Sequence, residues 1–187
     1  MMKKRTFLLP TILLSLALLS YGCKIVSFSA QNLFITVTIE ETFNLNSNDN
    51  AYMDMATVDL SQSFNDVDLT NVKNVSITNV EVTIINNNTG AATTSSGSVL
   101  FNSLTAPFAQ NALLASFMNV NLNAALNDPL TFTNQLAINQ NGISSLETHA
   151  GSSPPPTLKF FLTGTVNNPP VDFEIILKVT LQLELQS

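Results

Sequence analysis

From Val171 to Leu185 every second residue is large and apolar: Val171, Phe173, Ile175, Leu177, Val179, Leu181, Leu183 and Leu185. Between them stand Asp172, Glu174, Ile176, Lys178, Thr180, Gln182 and Glu184. Only an extended strand gathers the first set on one face, because a helix would scatter them around its axis and expose about half. Burying a large apolar side chain contributes about 1.5–3 kcal/mol, so this face offers roughly 12–24 kcal/mol as an upper bound. A face that long needs a second layer against it, so the segment predicts a core strand in a layered β fold.

Weaker copies of the same pattern precede it. Ile35, Val37 and Ile39 alternate with Thr36, Thr38 and Glu40, and Val75, Ile77, Val80, Val82 and Ile84 alternate with one irregularity. These two faces are expected to supply the opposing sheet. Leu158 to Val166 reads as a further strand, joined to the last by a hairpin turn at Asn167-Asn168-Pro169-Pro170. Val99–Leu104 and Ala115–Leu122 are shorter candidates. Asn44–Asn50 and Asn86–Gly90 read as loops, since amide-rich and glycine segments favour turns over ladders. Helix is expected in one stretch within Phe132–His149, ended by Gly151–Pro156, and in a short turn around Ser63–Val72. The fold class this predicts is all-β: an antiparallel β-sandwich with one or two short helices. A transmembrane barrel fits less well, because the chain has two Tyr and no Trp to form aromatic girdles.

Charge narrows the partners. Charged residues make up 11% of the chain, against about 25% in ordinary domains. Lys3, Lys4 and Arg5 lie at the extreme N-terminus; after Cys23 there are four lysines, no arginine and thirteen acidic residues, a net charge of −9. Binding nucleic acid requires cations to neutralise phosphates, so no nucleic-acid partner is expected. Docking on anionic lipid headgroups is disfavoured for the same reason.

The N-terminus has its own organisation. Lys3-Lys4-Arg5 precede an apolar run from Phe7 to Leu19, followed by the short polar tract Ser20-Tyr21-Gly22. These 13 apolar-run residues, with Pro10 among them, fall short of the roughly 20 that span a bilayer, and the segment reads as an export signal. Cys23 follows at once and is the chain's one cysteine, so no internal disulfide can form and a modification is the economical reason for a thiol there.

The tract Leu19-Ser20-Tyr21-Gly22-Cys23 resembles the lipobox of bacterial lipoprotein precursors, in which a small residue precedes an invariant cysteine. Gly22 and Cys23 carry the match; Ser20 and Tyr21 depart from it. The resemblance covers the first 23 residues and implies removal of 1–22 as a signal peptide, leaving 23–187 as the lipid-anchored domain. It also implies diacylglyceryl on the Cys23 sulfur and a further acyl chain, such as palmitate, on the new amino group. Two or three chains make such a tether effectively permanent, since each buried methylene contributes about 0.8 kcal/mol. Lys24 is not the aspartate that retains many such proteins at the inner membrane, which favours the outer membrane of the cell envelope.

Chemistry beyond the anchor is sparse in the sequence. His149, the one histidine, has no partner at ligand or catalytic spacing and reads as a solvated loop residue. Asp66 and Asp68 near Asp59, and Asp49 and Asp54 about the Asn-rich loop, lack the order and turn glycine of a calcium loop and read as turn residues. Glu40-Glu41 reads as a strand end. No catalytic, cofactor-binding or metal-ligating residue is therefore expected. The expected role is a non-enzymatic envelope lipoprotein whose sandwich serves binding or structural assembly. The alternatives are a periplasmic carrier of lipid or another hydrophobic ligand, or a hydrolase with a site formed only in three dimensions. The membrane is reached through Cys23; a protein, glycan or lipid ligand stays open.

Overall fold

The computed structural model describes residues 26–28, 33–64, 67, 69–89, 93–131 and 134–186. Nine strands form two antiparallel sheets. The first holds β1 (Val26–Phe28), β2 (Leu33–Ser47), β9 (Val171–Leu185) and β4 (Val72–Asn87), in the order β1-β2-β9-β4. The second holds β3 (Ala51–Asp59), β8 (Thr157–Val166), β5 (Thr94–Ser103), β6 (Ala112–Asn121) and β7 (Leu136–Ile138), in that order. Among the described residues helix is confined to α1 (Leu60–Ser63), α2 (Gln140–Ala150) and two single 3-10 turns. The all-β sandwich is the architecture that the alternating pattern predicts.

β9 lies at the centre of the first sheet. It pairs along its whole length with β2, from Val171↔Ser47 to Leu185↔Leu33, and on its other side with β4. Val171, Phe173, Ile175, Leu177, Val179, Leu181 and Leu183 are all buried, and only Leu185 at the end is partly open. At about 3.4 Å per residue the strand runs about 50 Å. The irregularity in β4 is a β-bulge: register shifts between Ile77 and Asn79, so Val80 regains the inner face that Val75 occupies.

Two expectations about layering are corrected. β2 and β4 flank β9 in one sheet, so their apolar faces extend its layer and do not oppose it. The opposing layer is the β3-β8-β5-β6-β7 sheet, with Val58, Val99, Phe101, Leu158, Phe160 and Leu162 facing in. Accordingly Asn167–Pro170 is not a hairpin turn but an arch that carries the chain from one sheet to the other. The segment 48–50 is an arch of the same kind, and β4 and β5 likewise lie in different sheets. These connections are stitched at one end of the sandwich: Val166 N–H donates to Asn50 O at 2.8 Å, Thr94 N–H to Asn167 Oδ1 at 2.8 Å, and Asn88 N–H to Asp172 O at 2.8 Å.

Boundaries also shift. β2 runs through Asn44–Asn46, which the composition assigns to a loop, and Glu40-Glu41 lie mid-strand. The ladder with β9 decides the matter, since every residue from Leu33 to Ser47 has a partner there. Leu136, expected in a helix, belongs to β7, and α2 begins only at Gln140, capped by the Asn139 side chain on Gly142 N–H at 2.9 Å. Phe132 lies outside the described residues.

α2 closes one side of the sandwich. It buries Gly142, Leu146 and Ala150, one stripe at helical spacing. Gly142 is required by proximity, because a Cβ there would come within 1.9 Å of the Leu113 carbonyl oxygen on β6. The exposed edge of β4 is covered piecemeal. Val82 exchanges hydrogen bonds with Leu130 at 3.1 and 2.8 Å, Ile84 O accepts from Asn127 N–H at 2.7 Å, and Ile77 N–H donates to Glu147 Oε1 of α2 at 2.8 Å. A long edge with unpaired donors invites pairing with other chains, and these contacts blunt it.

Candidate functional site

The residues singled out by the sequence do not converge. Cys23, the export segment, Asp66 and Asp68 lie outside the described residues. The described chain starts at Val26, which pairs with Ile35 near one end of β2. His149 is in the last turn of α2 and half-buried, not in a solvated loop. Its Nδ1 hydrogen-bonds the Ser145 carbonyl one turn back at 2.8 Å, and its ring stands edge-on to Phe101 at 6.1 Å. The first contact is within the helix and the second comes from its packing on the sheet; together they hold the ring against backbone and hydrocarbon.

The carboxylates each serve local structure. Asp59 caps α1: Oδ1 accepts from Ser61 N–H at 3.0 Å and Ser61 Oγ–H at 2.6 Å, and the Ser61 hydroxyl holds this carboxyl below its usual range. Asp54 Oδ2 accepts from Asn44 N–H at 2.8 Å, tying the β3 edge of one sheet to the β2 edge of the other. Glu40 meets Lys178 across the β2–β9 ladder at 3.0 Å. Burial raises the carboxyl of Glu41. Among the described residues no three His, Cys, Asp or Glu side chains are grouped to hold a metal ion.

One buried polar constellation lies outside the residues that the sequence singles out. Tyr52, 4% exposed, lays its ring over Gly97 and Gly164, which face each other across the β5–β8 ladder. A Cβ on Gly164 would fall 2.2 Å from Ser96 O and 2.6 Å from Tyr52 Cζ, so the glycine pair is the recess that admits the ring. The Tyr52 and Ser95 hydroxyls lie 2.8 Å apart, and Phe173 meets the ring edge-on at 5.3 Å. Burial pushes the phenol up to about 12, with the Ser95 hydrogen bond pulling the other way. A phenol this basic stays protonated and neutral near pH 7, which suits it to joining the sheets and not to acid–base work. The signal that could have found it is two glycines inside strand patterns, which mark a close approach.

Two clefts lie where α2 meets β4. One, of about 230 Å³, is lined by the apolar Ile77, Val80, Ile138 and Ile143 and the polar Thr78, Asn79 and Gln140. Small-molecule sites usually run from about 300 to 1,000 Å³. A more polar cleft of about 410 Å³ lies beside it, lined by Lys73, Ser144, Glu147 and Thr148 among others. Its charges are already engaged: Lys73 Nζ pairs with Glu184 at 2.7 Å and Glu147 accepts the Ile77 N–H. What these clefts offer chemically is a shallow apolar strip with amide edges.

No protein-family model and no curated protein matches the chain. Among solved structures it is similar to one from Desmodium yellow mottle tymovirus, at 13% identity over 100% of this chain and 99% of that one, with a TM-score of 0.39. It is similar also to one from turnip yellow mosaic virus, at 12% identity over 83% of this chain and 97% of that one, with a TM-score of 0.35. Likeness this loose carries nothing over to this chain.

Proposed function

We propose that this chain is the precursor of an exported bacterial lipoprotein, cleaved before Cys23 and held by lipid on that residue at the cell envelope, with the outer membrane favoured. The observation that carries the reading is the order of residues 3–23: three basic residues, an apolar run, a small residue and then the one cysteine of the chain. The close spacing of Cys23 and β1 suits it too, because a domain that begins two residues after Lys24 would sit within about 10 Å of its tether. On this reading the sandwich serves non-enzymatic binding or structural assembly.

A carrier of hydrophobic ligand would have to part the two sheets, whose facing side chains pack into one cluster of buried residues. The anchor has a direct test. Full-length protein made in a bacterial host and fed an alkyne palmitate should take up label, and Cys23→Ser should take up none and accumulate uncleaved or released. Label retained on Cys23→Ser would remove the lipoprotein reading.

A further inference from the structure

The two outer faces of the sandwich differ in kind. On the β1-β2-β9-β4 sheet the outward positions include Glu40, Glu81, Asp172, Glu174, Lys178 and Glu184. On the other sheet the registers build neutral rows. One runs Met53↔Thr163↔Ser98↔Ser116 across β3, β8, β5 and β6, and the next runs Met55↔Phe161↔Leu100. Lys159 is the one charge among the described outward residues of these five strands, apart from Asp59 at a corner, whose carboxylate caps α1.

Apolar exposure is concentrated on the same side. Among the described residues the exposed large apolar ones are Met53 at 62%, Met55 at 49%, Leu104 at 44%, Phe108 at 51%, Met118 at 75% and Leu126 at 38%. Met53, Met55 and Met118 project from the outer face of this sheet. Leu104 and Phe108 belong to the β5–β6 connection, and Phe108 folds back to stand edge-on against Phe161 at 5.1 Å. Single exposed apolar side chains need no explanation, but a cluster on one uncharged face marks a contact surface.

We propose that this face is where two copies of the chain pair, across a two-fold axis. Charge selects the occupant. After Cys23 each copy carries −9, so most approaches of two copies bring acidic faces together. The Met53 and Met55 rows let the two copies meet with almost no charge facing charge, and a neutral face is self-complementary, as an isologous interface must be. A membrane surface is a poorer match, because one lysine gives anionic headgroups little to hold. Area is sufficient: five strands about 4.8 Å apart and some eight residues long give a footprint on the order of 600 Å² per copy. Two such footprints exceed the roughly 1,000 Å² that a specific interface needs in total. Methionine suits the role, since its flexible thioether adapts to a facing surface. The proposal does not depend on the lipid anchor.

The test uses the full-length chain in a bacterial host, with a photo-crosslinking residue at Met53 or, as a control on the other outer face, at Thr38. Irradiation should give a homodimer band from position 53 and little from 38. Adding Met55→Glu should lower the position-53 band at least tenfold, while Lys178→Ser should leave it unchanged. Circular dichroism of purified Met55→Glu would establish that it is folded. No homodimer band, equal bands from both faces, a band indifferent to Met55→Glu, or adducts only with other proteins or lipid would each overturn the proposal.

Discussion

β9 and β8 are neighbours in the chain and opposites in character. β9 alternates cleanly, buried at every second residue from Val171 to Leu183 and polar or charged between, Ile176 excepted. β8 buries Leu158, Phe160, Phe161 and Leu162, the third of these on its outer side. The difference comes from what each outer face meets. The face of β9 carries ion pairs such as Lys178–Glu40 to water, whereas Phe161 lies beneath Phe108 in a field of Met, Thr and Ser. A strand advertises its orientation only when its two sides contrast in polarity, and an apolar or neutral outer face erases the period.

The largest break in this comparison is Leu177→Asp, at the middle of β9. Leu177 is 1% exposed and its neighbours are hydrocarbon. An unpaired buried charge costs several kcal/mol against a total stability of about 5–15 kcal/mol, so the domain should unfold. Urea denaturation of the chain lacking residues 1–23 would read it. A cooperative transition with a midpoint near that of the wild type would show that this face is not the core.

That contrast also explains how much was legible beforehand. The sandwich class, β9 and the outlines of β2 and β4 follow from period-2 patterns, and β8 from its apolar run before a turn. β3 left no such trace, because its inward set of Tyr52, Asp54, Ala56 and Val58 is no more apolar than the outward Met53 and Met55. The assignment of strands to sheets was not legible either. Asn167–Pro170 would serve a hairpin or an arch equally well, since both need turn residues between two strands, and only packing of the faces decides. The Asn44–Asn46 stretch misleads for a related reason: on an outer sheet position an amide is as well hydrated as in a loop. Of the candidate site, Cys23 rests on sequence alone, while the Tyr52 recess needs Gly97 and Gly164, 67 residues apart, to be brought into register.

A middle-sized effect sharpens the comparison from the second sheet. Tyr52 hydrogen-bonds Ser95 within its own sheet and meets Phe173 of the facing sheet. Its folded-state pKa is about 12 against an ordinary 10. Between those values the unfolded chain has released the proton that the folded chain keeps, so folding binds a proton and stability falls as pH rises. The contribution is complete below pH 10 and is lost on climbing to 12, about 2–3 kcal/mol in all. Tyr52→Phe should cost about 1 kcal/mol at pH 7 through the lost hydrogen bond and should flatten the alkaline decline. Parallel decline in both proteins would place the phenol in water.

The smallest effect lies on the outer face of β9, one residue from the largest. Lys178 stands in register between Glu40 of β2 and Glu81 of β4, and its Nζ meets Glu40 at 3.0 Å. Both partners are substantially open, with side chains 39% and 50% exposed. Water screens such a pair and ordering two long side chains offsets part of the attraction, so exposed pairs contribute about 0–1 kcal/mol. Removing the lysine also leaves Glu40 and Glu81 with no cation between them, a repulsion across two strand spacings that salt screens further. Lys178→Ser should therefore cost less than about 1 kcal/mol, and less again at 0.5 M than at about 0.05 M salt. Urea midpoints at the two salt concentrations would measure both. A loss comparable to that of Leu177→Asp would mean that residues 177 and 178 do not sit on opposite sides of a strand, and the one-sided burial of β9 would fall with it.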